Sequence, residues 1–344
     1  MPKFTWDIDP AIFHLGWFQL RYYSLLFVVV FLGGYALLKW QIVRGGGDEE
    51  EAGDFVIYGV LGVLVGARLG HVLFYDLEKA LKDPIWIFKI WTGGLASHGA
   101  VIGLITAMYL FCKRRGLPFL EGADRFSFSA ALGASIVRLG NFFNSEIVGR
   151  RTDQTWGVKF PRYDQAGTVW YRHPSQLYEM TWGLCVLGAL LLFDRRLGKE
   201  NRPRGALISL FFALYFVGRF FIEYVKEYQV SITPEDAPLS MGQYLSIPGI
   251  FLGFYGLYWS FRRRRPARWA SQYDEGEEEE EDEKAGEEEE EEDGEEETEA
   301  TEKGRARDPD VEAEFASRDA KRPRRESPDT EPDQKKQSEK DEGD

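Results

Sequence analysis

The chain is 344 residues long, 44% hydrophobic and 15% aromatic, with a formal net charge of −14. That charge averages two unlike parts: from Ser271 onward there are 34 acidic and 12 basic residues, which leaves 22 acidic and 30 basic residues before it. The overall acidity therefore excludes nothing about the first part, and the two cysteines, Cys112 and Cys185, have neither metal-ligand spacing nor redox pairing and read as small apolar fillers.

Apolar stretches of about 20 residues, each able to cross roughly 30 Å of bilayer hydrocarbon, recur at 17–40, 55–75, 95–112, 126–143, 177–193, 206–224 and 244–261. The first is too long for a signal-peptide core and has no small-residue cleavage site, so it reads as a retained span. Basic residues follow the odd-numbered spans: Lys39 with Arg44, Lys113 to Arg115, the group Arg195, Arg196, Lys199, Arg202 and Arg204, and Arg262 to Arg265. Lys and Arg flanking a span are retained on the cytoplasmic side. The expected fold is an all-α polytopic membrane protein of about seven transmembrane helices, N-terminus outside and C-terminus inside. Residues 1–265 form the membrane domain, with a small periplasmic head at 143–173, and 266–344 form a disordered acidic and mixed-charge cytoplasmic tail, too polar to bury a core.

Polar residues at membrane depth cost several kcal/mol and are normally kept for a task. In chain order, Arg21, Tyr22 and Tyr23 stand where an interfacial aromatic belt sits. Arg68 and His71 share the second span, where an arginine either snorkels to the headgroups or meets a substrate. His98 is flanked by Gly94, Gly99 and Gly103, small residues that let another backbone or a headgroup come close; a lone histidine there reads either as a satisfied polar residue or as a group suited to proton transfer. The run RLGNFFNSEIVG from Arg138 ends the fourth span. HPSQLYE from His173 reads as capping chemistry with Ser175 as N-cap, and SMGQYLSIP from Ser240 as the same device. Tyr215, Arg219 and Glu223 recur every four residues as one polar stripe, either a self-neutralising pair or a carboxylate orienting Arg219 toward an anion. Arg138, Arg219 and Arg68 together would suit a lipid phosphate.

The ordered blocks GARLGHVLFY from Gly66, GGLASHG from Gly93, RLGNFFNSEIVG, HPSQLYE, the Arg219 and Glu223 pair and SMGQYLSIP resemble the bacterial prolipoprotein diacylglyceryl transferases over nearly all of residues 15–262. The resemblance implies a multi-pass enzyme of the bacterial inner (cytoplasmic) membrane with a periplasmic N-terminus and a cytoplasmic C-terminus. It implies transfer of the diacylglyceryl group of phosphatidylglycerol to the lipobox cysteine of preprolipoproteins, giving a thioether and glycerol 1-phosphate, the first step of lipoprotein maturation. The matching positions are Tyr23, His98, Arg138, Asn141, Glu146, Gly149, Tyr215, Arg219 and Glu223, with Arg68 as a further match. Val137 departs from the family's usual glycine, and the acidic tail lies outside the pattern.

On that reading His98, Arg138, Arg219, Tyr23 and Glu223 are catalytic, and Arg138, Asn141, Glu146, Gly149, Arg68 and Tyr215 bind phosphatidylglycerol. Phosphatidylglycerol is the donor and the preprolipoprotein signal peptide the acceptor; no cofactor, metal or nucleic acid is expected. A thiol with an ordinary pKa of about 8.5 is mostly protonated near neutrality, so a base such as His98 helps. The leaving phosphate gains charge as its bond to carbon breaks, and preorganised guanidinium groups stabilise it. A transporter would also place charges in spans, but no inverted repeat is present; a scaffold docking through the tail accounts for Ser271 to Asp344 and not for the polar stripes.

Overall fold

The structure, a computed structural model, describes residues 4–16, 18–164, 167–227, 238–267 and 269; the tail from Ser271, with the disorder expected for it, lies outside them. The chain opens with β1 (Phe4–Thr5) and a hairpin of β2 (Ala11–Leu15) and β3 (Phe18–Arg21), which turns at Gly16 with φ +58°. This pairing takes up the start of the first expected span, so α1 runs over Tyr22–Arg44. Helix α2 (Glu49–Tyr75) starts ahead of its apolar stretch because Asp48 and Glu51 form a capping box and the acidic first turn suits a helix N-terminus.

A short α3 (Leu77–Lys82) and two 3₁₀ turns, Pro84–Phe88 and Ile90–Thr92, lead to α4 (Ser97–Arg115). Helix α5 (Phe119–Phe143) is followed by β4 (Val158–Lys159) and β5 (Tyr171–Arg172), then α6 (Ser175–Arg196) and α7 (Ala206–Ile222). Finally comes α8 (Met241–Arg263), which Ser240 caps as expected: its Oγ accepts from the Gln243 N–H at 3.3 Å, and Gln243 Oε1 accepts from Ser240 N–H at 2.9 Å. Ser175 is no cap: it is the first helical residue, and its hydroxyl donates to the Ile147 carbonyl at 3.0 Å.

Among the described residues α1, α2, α5, α6 and the segment Ala206–Val225 are long and apolar enough to cross a membrane. The class is mostly helical, with two short sheets among the described residues that the apolar pattern does not announce. In one sheet β4 lies between β1, parallel, and β5, antiparallel; the other is the β2–β3 hairpin.

Helix pairs α2/α4 and α7/α8 meet through glycine. A Cβ on Gly66 would run into the carbonyl of Gly99, and one on Gly253 into the backbone of Ala213. The close backbone approach expected around His98 is thus made, by α2. Helix α5 begins seven residues before its apolar stretch because its charged first turns are neutralised inside the protein. Arg125 Nε lies 2.7 Å from Glu121, and Arg202 lies 3.7 Å from both Glu121 and Asp124. Asp124 also accepts from the N–H groups of Gly205 and Ile208, at 2.7 and 2.8 Å. The ordered body continues past Arg265: Ala267 N–H donates to the Arg202 carbonyl at 3.1 Å, and Trp269, 1% exposed, hydrogen-bonds Glu51.

Candidate active site

Arg138 and Asn141 lie three residues apart on α5 and so share a face. Arg138 Nη1 donates to Asn141 Oδ1 at 3.2 Å, and Asn141 Nδ2 donates to Glu146 Oε1 at 2.7 Å, an oxygen that Asn144 Nδ2 also reaches at 3.2 Å. Glu146 comes back toward its own helix through a tight turn in which Ser145 (φ 54°) and Ile147 (φ 56°) are both left-handed. Such a conformation costs about 1–3 kcal/mol for a residue with a Cβ, and most for a β-branched one. The turn is held by the Glu146 N–H on the Asn141 carbonyl at 3.0 Å and by Gln176 Nε2 on the Glu146 carbonyl at 2.8 Å.

Beyond the turn, Gly149 bridges to Lys226, and Glu227 N–H donates to the Val148 carbonyl at 3.1 Å. This pairing brings the end of α7 against the end of α5. Gly149 is required there: a Cβ would lie 2.5 Å from the His173 carbonyl oxygen and 2.7 Å from that of Val225.

The result is a buried row of alternating charge. Glu179 Oε2 lies 2.7 Å from Arg138 Nε, Glu179 Oε1 lies 3.5 Å from Lys226 Nζ, and Lys226 Nζ lies 3.1 Å from Glu223 Oε2. The pair expected between Arg219 and Glu223 is not formed. Helix α7 ends at Ile222, the 3₁₀ turn Glu223–Val225 follows, and three-residue spacing then puts Lys226 beside Glu223. Arg219 is half-buried and, among the described residues, has neither an ion pair nor a hydrogen bond. Tyr23 packs against Gly140 of α5, with Glu146 and Arg138 as its charged neighbours. Tyr215 stacks on Phe211 and neighbours Arg138.

Two predicted residues lie apart from this row. Arg68, 3% exposed, gives its donors to the carbonyls of Ile87, Gly93 and Trp86, at 2.8, 2.6 and 2.6 Å, and lies over the Trp86 ring. It neither snorkels nor joins Arg138; it fastens the loop that leads to α4. His98 is exposed at the start of α4, edge-on to Phe74 at 4.9 Å. Glu179 and Lys226 are the site members that the sequence reading left out. Glu179 was absorbed into capping chemistry; its signal was a carboxylate inside an apolar helix, whereas Lys226 gave none.

Next to this row, Arg172 latches the β-containing segment, donating to Asp164 Oδ1 at 2.7 Å, Glu227 at 2.8 Å and the Gly149 carbonyl at 3.3 Å. Burial alone would raise the Asp164 pKa, but hydrogen bonds from Arg172 and the Trp170 N–H outweigh it and hold the carboxyl below its ordinary range. Burial lowers the pKa of His173.

Long apolar helices around a row of paired charges at one end of the bundle define a polytopic membrane protein. The family model described as prolipoprotein diacylglyceryl transferase matches residues 10–259. A phosphatidylglycerol–prolipoprotein diacylglyceryl transferase of Vibrio atlanticus is 38% identical over 263 residues, 75% of this chain and 92% of the relative. Those of Pseudoalteromonas atlantica and Vibrio cholerae are also 38% identical, over 266 and 259 residues, covering 76% and 75% of this chain and 92% and 93% of the relatives. The chain belongs to the prolipoprotein diacylglyceryl transferase family.

Proposed function

We propose that this protein transfers the diacylglyceryl group of phosphatidylglycerol to the lipobox cysteine thiol of a preprolipoprotein signal peptide. The thiol gives up its proton, sulfur bonds to the glyceryl carbon, and the bond from that carbon to the phosphate oxygen breaks. The electron pair leaves on the phosphate, which departs as glycerol 1-phosphate.

The observation that carries this reading is Arg219, without an ion pair among the described residues, one helical turn before Glu223 of the row Arg138–Glu179–Lys226–Glu223. Arg138 is fixed by Glu179 and Asn141, so its remaining donors are preorganised for the phosphate at no cost of reorientation during reaction. Arg219 supplies a charge that no carboxylate among the described residues neutralises. Asn141, Glu146 and Gly149 frame the glycerol headgroup, Tyr23 and Tyr215 flank Arg138, and Glu223 holds Lys226. His98 takes the thiol proton; its exposure lets a bulky acceptor reach it without displacing a protein partner. Arg68 serves substrate binding by positioning the loop before α4.

Seven crossings follow if α4 and α8 span together with the five more apolar helices. The basic ends of α1, α4, α6 and α8 then face the cytoplasm. On this topology the enzyme lies in the inner membrane with a periplasmic N-terminus, residues 143–173 form a periplasmic head, and the acidic tail is a disordered cytoplasmic extension.

The test incubates purified protein with phosphatidylglycerol labelled in its diacylated glycerol and a lipobox peptide. Label is expected on the peptide cysteine, and His98→Ala, Arg138→Ala and Arg219→Ala are expected to abolish its transfer. No label on the peptide sinks the function; transfer unchanged in the variants sinks the site.

A further inference from the structure

Helices α2 and α4 approach so closely at Gly62, Gly66, Gly99 and Gly103 that no side chain fills the seam between them. On the outer face of that seam is a groove of about 580 Å³, walled by residues such as Ile57, Leu61 and Val65 of α2 and Ile102, Thr106 and Leu110 of α4. The walls present almost entirely apolar surface, and the Thr106 hydroxyl is occupied by the Ile102 carbonyl of its own helix at 2.9 Å. From Ile57 to Phe74 the groove follows roughly 25 Å of helix, more than the roughly 15 Å depth of one leaflet's hydrocarbon.

At its lower end lies a second cavity, of about 530 Å³, lined by Asp54, Tyr58, Phe111, Arg114 and Arg115. Tyr58 lines both. Within this cavity Asp54 neutralises Arg115, whereas Arg114, among the described residues, bonds only the Tyr58 hydroxyl, at 3.3 Å. Lys113, next to it, is exposed and has no ionic partner among the described residues. An apolar channel thus opens onto a surplus of positive charge.

We propose that this continuous surface binds an anionic phospholipid, with one acyl chain along the α2/α4 seam and the phosphate on Arg114. The site is remote from the reaction centre: Arg114 lies at the end of the bundle where α5 begins, and Arg138 is roughly 28 Å further along that helix. The lipid is therefore a resident of the opposite leaflet and not the donor. The inference rests only on these helices crossing a bilayer, and it stands whether or not the transfer reaction does.

The test uses full-length protein, delipidated in detergent and titrated with phosphatidylserine, phosphatidylcholine or inorganic phosphate, with bound lipid counted by native mass spectrometry. Phosphatidylserine avoids the donor's headgroup. It is expected to bind more tightly than phosphatidylcholine, and inorganic phosphate is expected not to displace it. Arg114→Gln should weaken phosphatidylserine roughly fivefold, the effect of one basic residue at an anionic surface. Leu61→Trp, which obstructs the groove, should weaken it too, while Leu32→Trp on the exposed face of α1 should not. Diacylglyceryl transfer by Arg114→Gln is expected to be unchanged. Equal binding of the two lipids, unchanged binding by Arg114→Gln, or displacement by phosphate would overturn the proposal.

Discussion

The Nε of Arg138 stands 2.7 Å from Oε2 of Glu179, with the two side chains 16% and 8% exposed. Burying two charges costs desolvation of both, so such a pair survives only where geometry is good and the remaining polar atoms are engaged. Arg138 meets the second condition through Asn141, and Glu179 through Lys226. Glu179→Gln leaves Arg138 without its carboxylate and Lys226 with Glu223 alone. It should lower unfolding stability by about 3–5 kcal/mol and transfer by roughly 100-fold through misplacement of Arg138. Thermal unfolding and the labelled-lipid assay read the two effects separately, and a variant that keeps both would remove Glu179 from the site.

Gly149→Ala is the second test. Its Cβ would press on two backbone oxygens, of His173 and Val225, and neither is the free end of a flexible side chain. Overpacking of this kind costs about 1–3 kcal/mol. It also pries apart the pairing that brings Lys226 and Glu223 to Glu179, so transfer should fall more than stability. A variant as active as the parent would mean that the bridge between Gly149 and Lys226 is not needed.

Acid should loosen the β-containing segment in two steps. The pKa values of His173 and Asp164 are both lowered in the folded protein, from ordinary values of 6.5 and 3.8. The unfolded chain therefore takes up these protons first as the pH drops. The stability from each group is present above its ordinary value and is lost as the pH falls through its lower folded one, His173 first and Asp164 at stronger acid. Unfolding temperature followed from pH 8 downward should show both losses, and Asp164→Asn should remove the second. A profile identical in the variant would rule out the latch between Asp164 and Arg172.

Trp269 makes the extent of the folded body testable. Removing residues 271–344 should leave transfer intact. Ending the chain after Arg265 also removes a tryptophan that is 1% exposed and bonded to Glu51, a loss of about 3–5 kcal/mol for a buried aromatic side chain. Trp269→Ala in the full chain should reproduce that drop in unfolding temperature. If both truncations unfold alike, the contact with Glu51 contributes nothing.

Much of the helical frame was legible because long apolar runs have few other solutions, and Ser240 with Gln243 announced its own cap. The boundaries were less legible where charge is cancelled by partners distant in sequence. Glu121, Asp124 and Arg125 look like the polar flank of a span, and only the presence of Arg202 and Glu200 beside them makes them interior. Strands of two residues carry no pattern, so the sheet of β1, β4 and β5 was invisible. At the site, Arg138, Asn141 and Glu146 could be read as a group because they are close in sequence. The exchange of Arg219 for Lys226 as the partner of Glu223 depends on where α7 stops, a matter of one turn.

The glycine seams have a mechanical consequence. With backbone set against backbone, α2/α4 and α7/α8 each behave as a single plank: parting either would expose polar peptide groups that no side chain is there to shield. Not even a methyl group fits at these contacts, so an acyl chain has room along the outside of a plank but not between its two helices.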